Sequence, residues 1–106
     1  MTTRAIPNVS VATQANVYFG GRCVSYSLTL PDGTKKSVGV VLPMEQRFTT
    51  AQAEAMECVA GSCEYRLAGN QDWQTSSAGH SFQIAANSYF HIRVTAEPYH
   101  YICHYA

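Results

Sequence analysis

Short runs of alternating apolar and polar residues, separated by turn-forming residues, recur along this chain of 106 residues. A period of two places every second side chain on the same face, which is the pattern of a half-buried β-strand. Pro31-Asp32-Gly33 marks one of the turns, because Pro presets φ and Gly accepts a positive φ. By this pattern, strands are predicted at residues 25–30, 36–42, 56–60, 62–67, 81–85, 89–95 and 99–105.

Several short strands at regular spacing are typical of an all-β sandwich or barrel. Residues 50–56 are the one segment with a helical pattern, and it is short. A chain of 106 residues can bury a single core but is too short for a second one. We therefore expect a single domain over residues 1–106, in which residues 1–15 are extended or poorly ordered.

The charge balance argues against several classes of partner. Seven basic and seven acidic residues give a formal net charge of zero, so no strong field attracts nucleic acid or an anionic membrane. The sequence contains no run of 18 apolar residues and no signal-peptide segment, which predicts a cytoplasmic protein without a membrane span. Because 46% of the residues are apolar and sheet edges need cover, we expect a homodimer.

The four cysteines are expected to be free thiols, because disulfides are uncommon in the reducing cytoplasm. If Ala60-Gly61 is a two-residue turn, Cys58 and Cys63 lie directly opposite each other across a hairpin. That separation would suit a disulfide, but the compartment predicts that both remain reduced.

Three histidines and a cysteine lie within the last 16 residues, at His91, His100, Cys103 and His104, which raises the question of a metal site. In a strand, His100 and His104 share a face but lie about 13 Å apart, at about 3.3 Å per residue. Zinc binds each nitrogen at about 2.1 Å, so one ion cannot be held by both. The alternation instead places Cys103 and the neighbouring tyrosines on the opposite face from these two histidines.

Two segments resemble the motifs of cupins. Residues 54–61, a glutamate followed by six residues and a glycine, resemble the end of the first motif, and residues 79–90 resemble the second, which begins at its glycine. The resemblance implies a single-domain, cupin-like β-barrel of the double-stranded β-helix or jelly-roll type.

The positions that hold metal in metal-binding cupins are mostly replaced in this chain. The first motif of those cupins carries two histidines before its glutamate, and the second carries one. The matching residues here are Phe48, Thr50 and Phe90, and a shift of the first pair by one residue gives Arg47 and Thr49. Of four ligands only the glutamate, Glu54, remains. The resemblance therefore implies a barrel without a metal, and no cofactor is expected.

Further segments extend the resemblance over residues 16–105. They include, in order, Tyr18-Phe19, Ser37-Val38-Gly39-Val40, Phe48-Thr49-Thr50-Ala51, Asp72-Trp73, Phe90-His91, Ala96-Glu97-Pro98 and Tyr101-Ile102-Cys103-His104-Tyr105. In this order and spacing they resemble a family of small, bacterial, cupin-fold pyrimidine/purine nucleoside phosphorylases. The chain departs from the family pattern at 85–86, where Ala-Ala replaces Pro-Gly, and at His104, where the family has Arg.

The family resemblance implies a pentosyltransferase of broad specificity, without metal or organic cofactor. Such an enzyme cleaves the N-glycosidic bond of purine and pyrimidine nucleosides with inorganic phosphate, which gives free base and ribose 1-phosphate. The other class of function left open is a non-enzymatic cupin module that binds a small sugar or nucleobase, since a barrel does not by itself confer chemistry.

The phosphorylase reaction needs a carboxylate and a proton donor. A carboxylate can hold the ribose hydroxyls and favour an oxocarbenium-like sugar, and Glu54 or Glu45 suits this role. An inward Glu54 also predicts a polar cavity or ligand beside it, because an unpartnered buried carboxylate is costly. His91 is a candidate donor to the leaving base, unless the alternation of residues 89–95 turns it outward.

Phosphate and base need different side chains. The planar fork of Arg matches two phosphate oxygens, and the candidates for the phosphate are Arg22, Arg47 and Arg93, with Ser37 and Thr50 beside them. Aromatic faces stack on any base, and the candidates for the base are Phe48, Phe82, Phe90 and Tyr101. For the phenylalanines the competing interpretation is ordinary barrel core.

Overall fold

The computed structural model describes residues 5–105, which form eleven β-strands and one short 3-10 turn, Phe19–Gly21. The strands are β1 (Ser10–Val11), β2 (Asn16–Tyr18), β3 (Cys23–Thr29), β4 (Lys35–Val41), β5 (Met44–Thr49), β6 (Glu54–Ala60), β7 (Ser62–Leu67), β8 (Gln74–Ser77), β9 (Ser81–Ile84), β10 (Tyr89–Val94) and β11 (Tyr99–Tyr105).

The strands are arranged in two antiparallel sheets. The larger sheet has the order β1-β3-β4-β11-β6-β9, with β2 also paired to β3, and the smaller has the order β5-β10-β7-β8. Side chains from both sheets form one buried cluster between them. The prediction of an all-β, cupin-like fold is confirmed, and the described strands build it as a jelly-roll sandwich of two facing sheets.

The alternation of apolar and polar residues decides which face of each strand is buried. In β10, Phe90, Ile92 and Val94 are at most 3% exposed, whereas His91 and Arg93 between them are only half-buried. Because successive side chains of a strand point to opposite faces, β10 contributes three residues to the core and presents His91 and Arg93 on the outer face of the smaller sheet.

The seven predicted strands are all present, with ends shifted by at most two residues. Four further strands are missing from the prediction, namely β1, β2, β5 and β8. They are short or polar, and β5, for example, reads Met-Glu-Gln-Arg-Phe-Thr at the edge of the smaller sheet. A polar edge strand buries little of its surface, so its sequence carries a weak strand signal.

The prediction of a helix at residues 50–56 is wrong. Strand β6 begins at Glu54 and pairs with β11 on one side and β9 on the other. These two neighbours satisfy the backbone hydrogen bonds of β6, and tertiary pairing of this kind overrides weak local propensity.

The hairpin at Ala60-Gly61 that would place Cys58 opposite Cys63 does not form. Strands β6 and β7 do not pair, because the chain crosses from the larger to the smaller sheet at Gly61. Gly61 has a φ of +74°, and a Cβ there would overlap the carbonyl oxygen of Pro98. All four cysteines, Cys23, Cys58, Cys63 and Cys103, are buried and free.

The N-terminal segment contributes one short strand to the larger sheet. Ser10 and Val11 pair with Thr29 and Leu28 of β3, while residues 1–4 of the predicted extended or poorly ordered segment lie outside the described residues. Between residues 5 and 105, the chain forms no helix with the length and apolar character that crossing a bilayer requires.

Candidate active site between the two sheets

A cavity of about 370 Å³ opens between the two sheets. Its lining comes from β2, β3, β4, β6 and β11 of the larger sheet, from β5 and β10 of the smaller one, and from the 3-10 turn. The lining residues are Tyr18, Phe19, Cys23, Ser25, Ser37, Arg47, Phe48, Thr49, Glu54, Met56, Phe90, Tyr101, Cys103 and Tyr105. This size falls in the usual range for small-molecule sites, and a few polar groups converge on apolar walls.

A carboxylate and several weak hydrogen-bonding groups form the polar part of the cavity. Glu54 begins β6 and lies directly across from Tyr105 of β11. Burial raises the pKa of Glu54, and a hydrogen bond with Cys103 partly offsets that effect. The hydroxyls of Ser37 and Tyr105 are hydrogen-bonded to each other at 2.9 Å. Burial raises the pKa of Cys103 to about 12, so its thiol stays protonated beside the carboxylate.

Tyr101 lies flat across β4 because Gly39 stands directly opposite it. A Cβ at position 39 would be 2.6 Å from the Tyr101 hydroxyl oxygen, so no larger residue fits there without displacing the ring. The hydroxyl lies 3.7 Å from the sulfur of Cys23, and burial raises the pKa of Tyr101. The phenol is therefore neutral and forms part of the cavity wall.

Two phenylalanine rings of the smaller sheet form the aromatic wall. Phe48 and Phe90 face each other in register across β5 and β10, and their rings stack at 5.4 Å with an interplanar angle of 20°. Phe19 packs edge-on against Phe48 at 5.1 Å. Phe82, which was also predicted to contact the base, lies behind this wall, where its ring makes a T-shaped contact with Phe90 and stacks on Tyr65 in the core.

Of the arginines proposed for phosphate, Arg47 is the one among the lining residues, although its side chain is exposed and shares the outward-facing side of β5 with Glu45. Its guanidinium lies 4.1 Å from the centre of the Tyr89 ring, and Thr49, two residues along β5, also lines the cavity. Arg22 instead donates to the carbonyl oxygen of Pro43 at 2.5 Å, and it is not among the lining residues.

Arg93, His91 and Glu45 lie on the outer face of the smaller sheet, away from the cavity. Arg93 donates to Glu64 at 2.8 Å and lies 3.9 Å from the Trp73 ring. Glu45 is exposed and faces Arg93 across the strand pair. His91 has the outward orientation that the alternation of β10 allows, because Phe90 on one side of it and the next core residue on the other point inward.

Thr50 is buried outside the cavity, where its hydroxyl closes a turn. The hydroxyl donates to the carbonyl oxygen of Ala85 at 2.7 Å and accepts from the backbone N–H of Ser88 at 3.0 Å. These bonds use the single donor and one of the two acceptor positions of the hydroxyl, whereas neighbouring Thr49 lines the cavity. The one-residue shift that pairs Arg47 with Thr49 in the cupin motif therefore matches the lining better.

His104, where the chain departs from the family pattern, is not among the lining residues of the cavity. On the outer face of the larger sheet, its Nδ1 lies 2.6 Å from the amine of Lys36 and its Nε2 lies 2.8 Å from Glu57. Within residues 5–105, no group of three or more His, Cys, Asp or Glu side chains is placed to hold a metal ion.

Eight lining residues were not among the predicted site residues: Tyr18, Phe19, Cys23, Ser25, Thr49, Met56, Cys103 and Tyr105. Two kinds of signal were available in the sequence for some of them. Tyr18 and Phe19 belong to the segments that carry the family resemblance, and the alternation of β11 places Cys103 and Tyr105 on the same face as Tyr101. The sequence holds no comparable signal for Ser25.

This chain is similar to known proteins in both sequence and fold. A family model for pyrimidine/purine nucleoside phosphorylases matches residues 13–105. Proteins named pyrimidine/purine nucleoside phosphorylase from Ralstonia pickettii (strain 12J) and Polaromonas naphthalenivorans (strain CJ2) are 67% and 63% identical, and each match covers 100% of both chains. The crystal structure of a protein of unknown function from Acinetobacter sp. ADP1 has a TM-score of 0.93 at 38% identity, covering 96% of this chain and 98% of that one.

Proposed function

The chain belongs to the pyrimidine/purine nucleoside phosphorylase family, and from that membership we propose a phosphate-dependent pentosyltransferase of broad specificity. The substrates are a purine or pyrimidine nucleoside and inorganic phosphate, and the products are the free base and ribose 1-phosphate. One observation carries the placement of the site: the carboxyl group of Glu54 shares a cavity with the stacked rings of Phe48 and Phe90 and with Arg47.

In the proposed reaction, a phosphate oxygen bonds to the anomeric carbon of the ribose while the bond from that carbon to the base nitrogen breaks. The electron pair of the broken bond leaves with the base, which takes up the proton that phosphate gives up. Positive charge develops on the sugar between the two events, by analogy with glycoside cleavage. The ionised form of Glu54 stabilises this charge, and no metal or organic cofactor takes part.

The cavity offers separate positions for the three parts of the substrates. Phosphate binds at Arg47 and Thr49, because a guanidinium and a hydroxyl suit its oxygens and the Glu54 carboxylate would repel it. The base stacks on the phenylalanine wall, where the absence of base-specific donors and acceptors allows purines and pyrimidines alike. The ribose lies between them, next to Glu54.

Incubation of the protein with inosine or uridine in saturating phosphate tests the proposal. We expect equimolar free base and ribose 1-phosphate, measured by chromatography, and no turnover when phosphate is omitted. If no base is released from any common nucleoside in saturating phosphate, the enzyme proposal fails. A non-enzymatic cupin module that binds a small sugar or nucleobase is then the better account, and a titration with these ligands would detect it.

A homodimer through the outer face of the larger sheet is the second part of the proposal. A groove of about 550 Å³ on that face is lined mainly by aliphatic side chains, including Val24, Val38 and Val40, together with Tyr26, His100 and Tyr101. Among residues 5–105, no Asp, Glu, Lys or Arg lines this groove, so two copies can meet there without such side chains of like charge facing each other. Exposed apolar patches of this kind mark interaction sites in soluble proteins, and a symmetric dimer covers one such patch with another.

Light scattering of the protein at micromolar concentration is expected to give twice the chain mass of 11.6 kDa. Tyr26→Glu should shift the population to monomer, because Tyr26 is 41% exposed and lines the groove, and a dimer would bury the new charge. Gln71→Glu adds the same charge in an exposed loop and should leave the mass unchanged. A wild-type mass near that of one chain would refute the dimer.

A further inference from the structure

The 3-10 turn Phe19–Gly21 is the most strained segment among the described residues that line the cavity. Phe19 has a φ of +53°, and Gly20 and Gly21 follow at +64° and +94°. A positive φ suits glycine but is an outlier for a bulky aromatic residue. Strain of this kind persists only where the surrounding structure imposes it, and it concentrates at ligand-binding positions.

The strain brings the Phe19 ring to the cavity instead of into the core. The ring remains 37% exposed, and it makes a T-shaped contact with the Phe48 ring, which in turn stacks on Phe90. Tyr18, 48% exposed, lines the same part of the cavity. The turn therefore adds an aromatic surface to the cavity from the larger sheet, facing the wall that the smaller sheet supplies.

The turn is fixed at one end and open along its outer side. The backbone N–H of Arg22 donates to the carbonyl oxygen of Phe19 at 3.2 Å, and Leu42 N–H donates to Arg22. By contrast, a Cβ at Gly20 or at Gly21 would have no atom within 4 Å. Space is therefore free beside these two glycines, and glycine accepts a wide range of φ and ψ, so a change in their backbone angles can shift the Phe19 ring.

We infer that Phe19 is a specificity-determining residue that stacks on the nucleobase and adjusts to one-ring and two-ring bases by movement of the following glycines. This inference rests on the proposed function for the identity of the ligand. The recognition uses the π-face of the ring and requires no polar partner that would distinguish one base from another. A wall that moves gives contact with uracil and with hypoxanthine alike, which is what broad specificity needs.

Calorimetric titration of phosphate-free protein with hypoxanthine, uracil and ribose 1-phosphate tests the inference separately from catalysis. Phe19→Leu keeps an apolar side chain but loses the π-face, so both bases should bind about 5- to 150-fold more weakly, the range found when a stacking ring is removed. Phe19→Trp should retain base binding. Ribose 1-phosphate has no base, so its affinity should be the same in all three proteins.

Val17→Ala is the matched control, because Val17 is 62% exposed one strand position before Tyr18 and does not line the cavity. It should bind both bases as the wild type does. Unchanged base affinity in Phe19→Leu, or an equal loss in Phe19→Leu and Phe19→Trp, would overturn the inference, and so would a wild-type protein that binds neither base. Base binding without nucleoside cleavage would instead overturn the proposed function and leave the stacking role supported.

Discussion

Glu54→Gln is expected to lower kcat and kcat/KM together by about 100- to 1,000-fold, as loss of a preorganised electrostatic group does. The substitution keeps the shape of the side chain but removes the negative charge that stabilises the cationic sugar. Because that charge develops in the transition state, KM for the nucleoside should change little. Steady-state kinetics with inosine at saturating phosphate measures both parameters.

Glu45→Gln is the matched control for this experiment. Glu45 is exposed on the outer face of the smaller sheet, so its substitution should leave kcat and KM within about twofold of the wild type, as is usual for changes that touch no part of a site. Full activity in Glu54→Gln would leave the family membership intact and refute the placement of the reaction beside Glu54.

Because the pKa of Glu54 is raised, Glu54→Gln should also change how activity depends on pH. Activity that needs the ionised carboxylate should fall on acidification around a pKa above the ordinary 4.5, and this acidic limb of kcat/KM should disappear in Glu54→Gln.

The stability of the fold should depend on the ionisation of Glu54 in the opposite direction from activity. Because the folded state binds the proton more tightly than the unfolded chain, the contribution of Glu54 to stability is present below pH 4.5 and is lost as pH rises through the folded value. At neutral pH, Glu54→Gln should therefore melt no lower than the wild type.

Gly61→Ala is expected to destabilise the fold by more than about 2 kcal/mol, which places it among the severe backbone substitutions. Gly61 carries the chain from one sheet to the other with a positive φ, and the added Cβ would overlap the Pro98 carbonyl oxygen. Since that oxygen belongs to the backbone, no side-chain rotation can relieve the overlap. Urea unfolding followed by circular dichroism gives the free energy of unfolding.

Gly69→Ala separates the cost of a positive φ from the cost of the overlap with the Pro98 carbonyl oxygen. Gly69 has a similar φ of +82°, but a Cβ there would have no atom within 4 Å, so only the left-handed backbone is penalised, by about 1–2 kcal/mol. A loss in Gly61→Ala no larger than the loss in Gly69→Ala would show that the Pro98 contact has no part in the stability of the crossing.

The sequence predicted those strands in which buried and exposed residues alternate. In β10 and β11 the apolar residues recur at every second position, so both strands and their inner faces follow from the sequence, including the inward Phe90 and Tyr101. The short polar strands could not be predicted in this way, because an edge strand such as β5 is held by backbone pairing with β10 more than by burial of its own side chains. The helical pattern of residues 50–56 failed for a related reason, since β6 is held between two neighbours that are distant in sequence.

By itself, the sequence determined the all-β class, the family resemblance and the candidate carboxylate Glu54, because alternation and motif spacing are local properties of the chain. Only the tertiary structure decided which polar side chains meet in one cavity. The register of β6 with β11 brings Glu54 to Tyr105 and Cys103, and the same kind of pairing leaves Arg93 and His91 on an outer face, while Arg47 borders the cavity. These placements depend on contacts between strands that are far apart along the chain, and the alternation within any one strand carries no information about its neighbours.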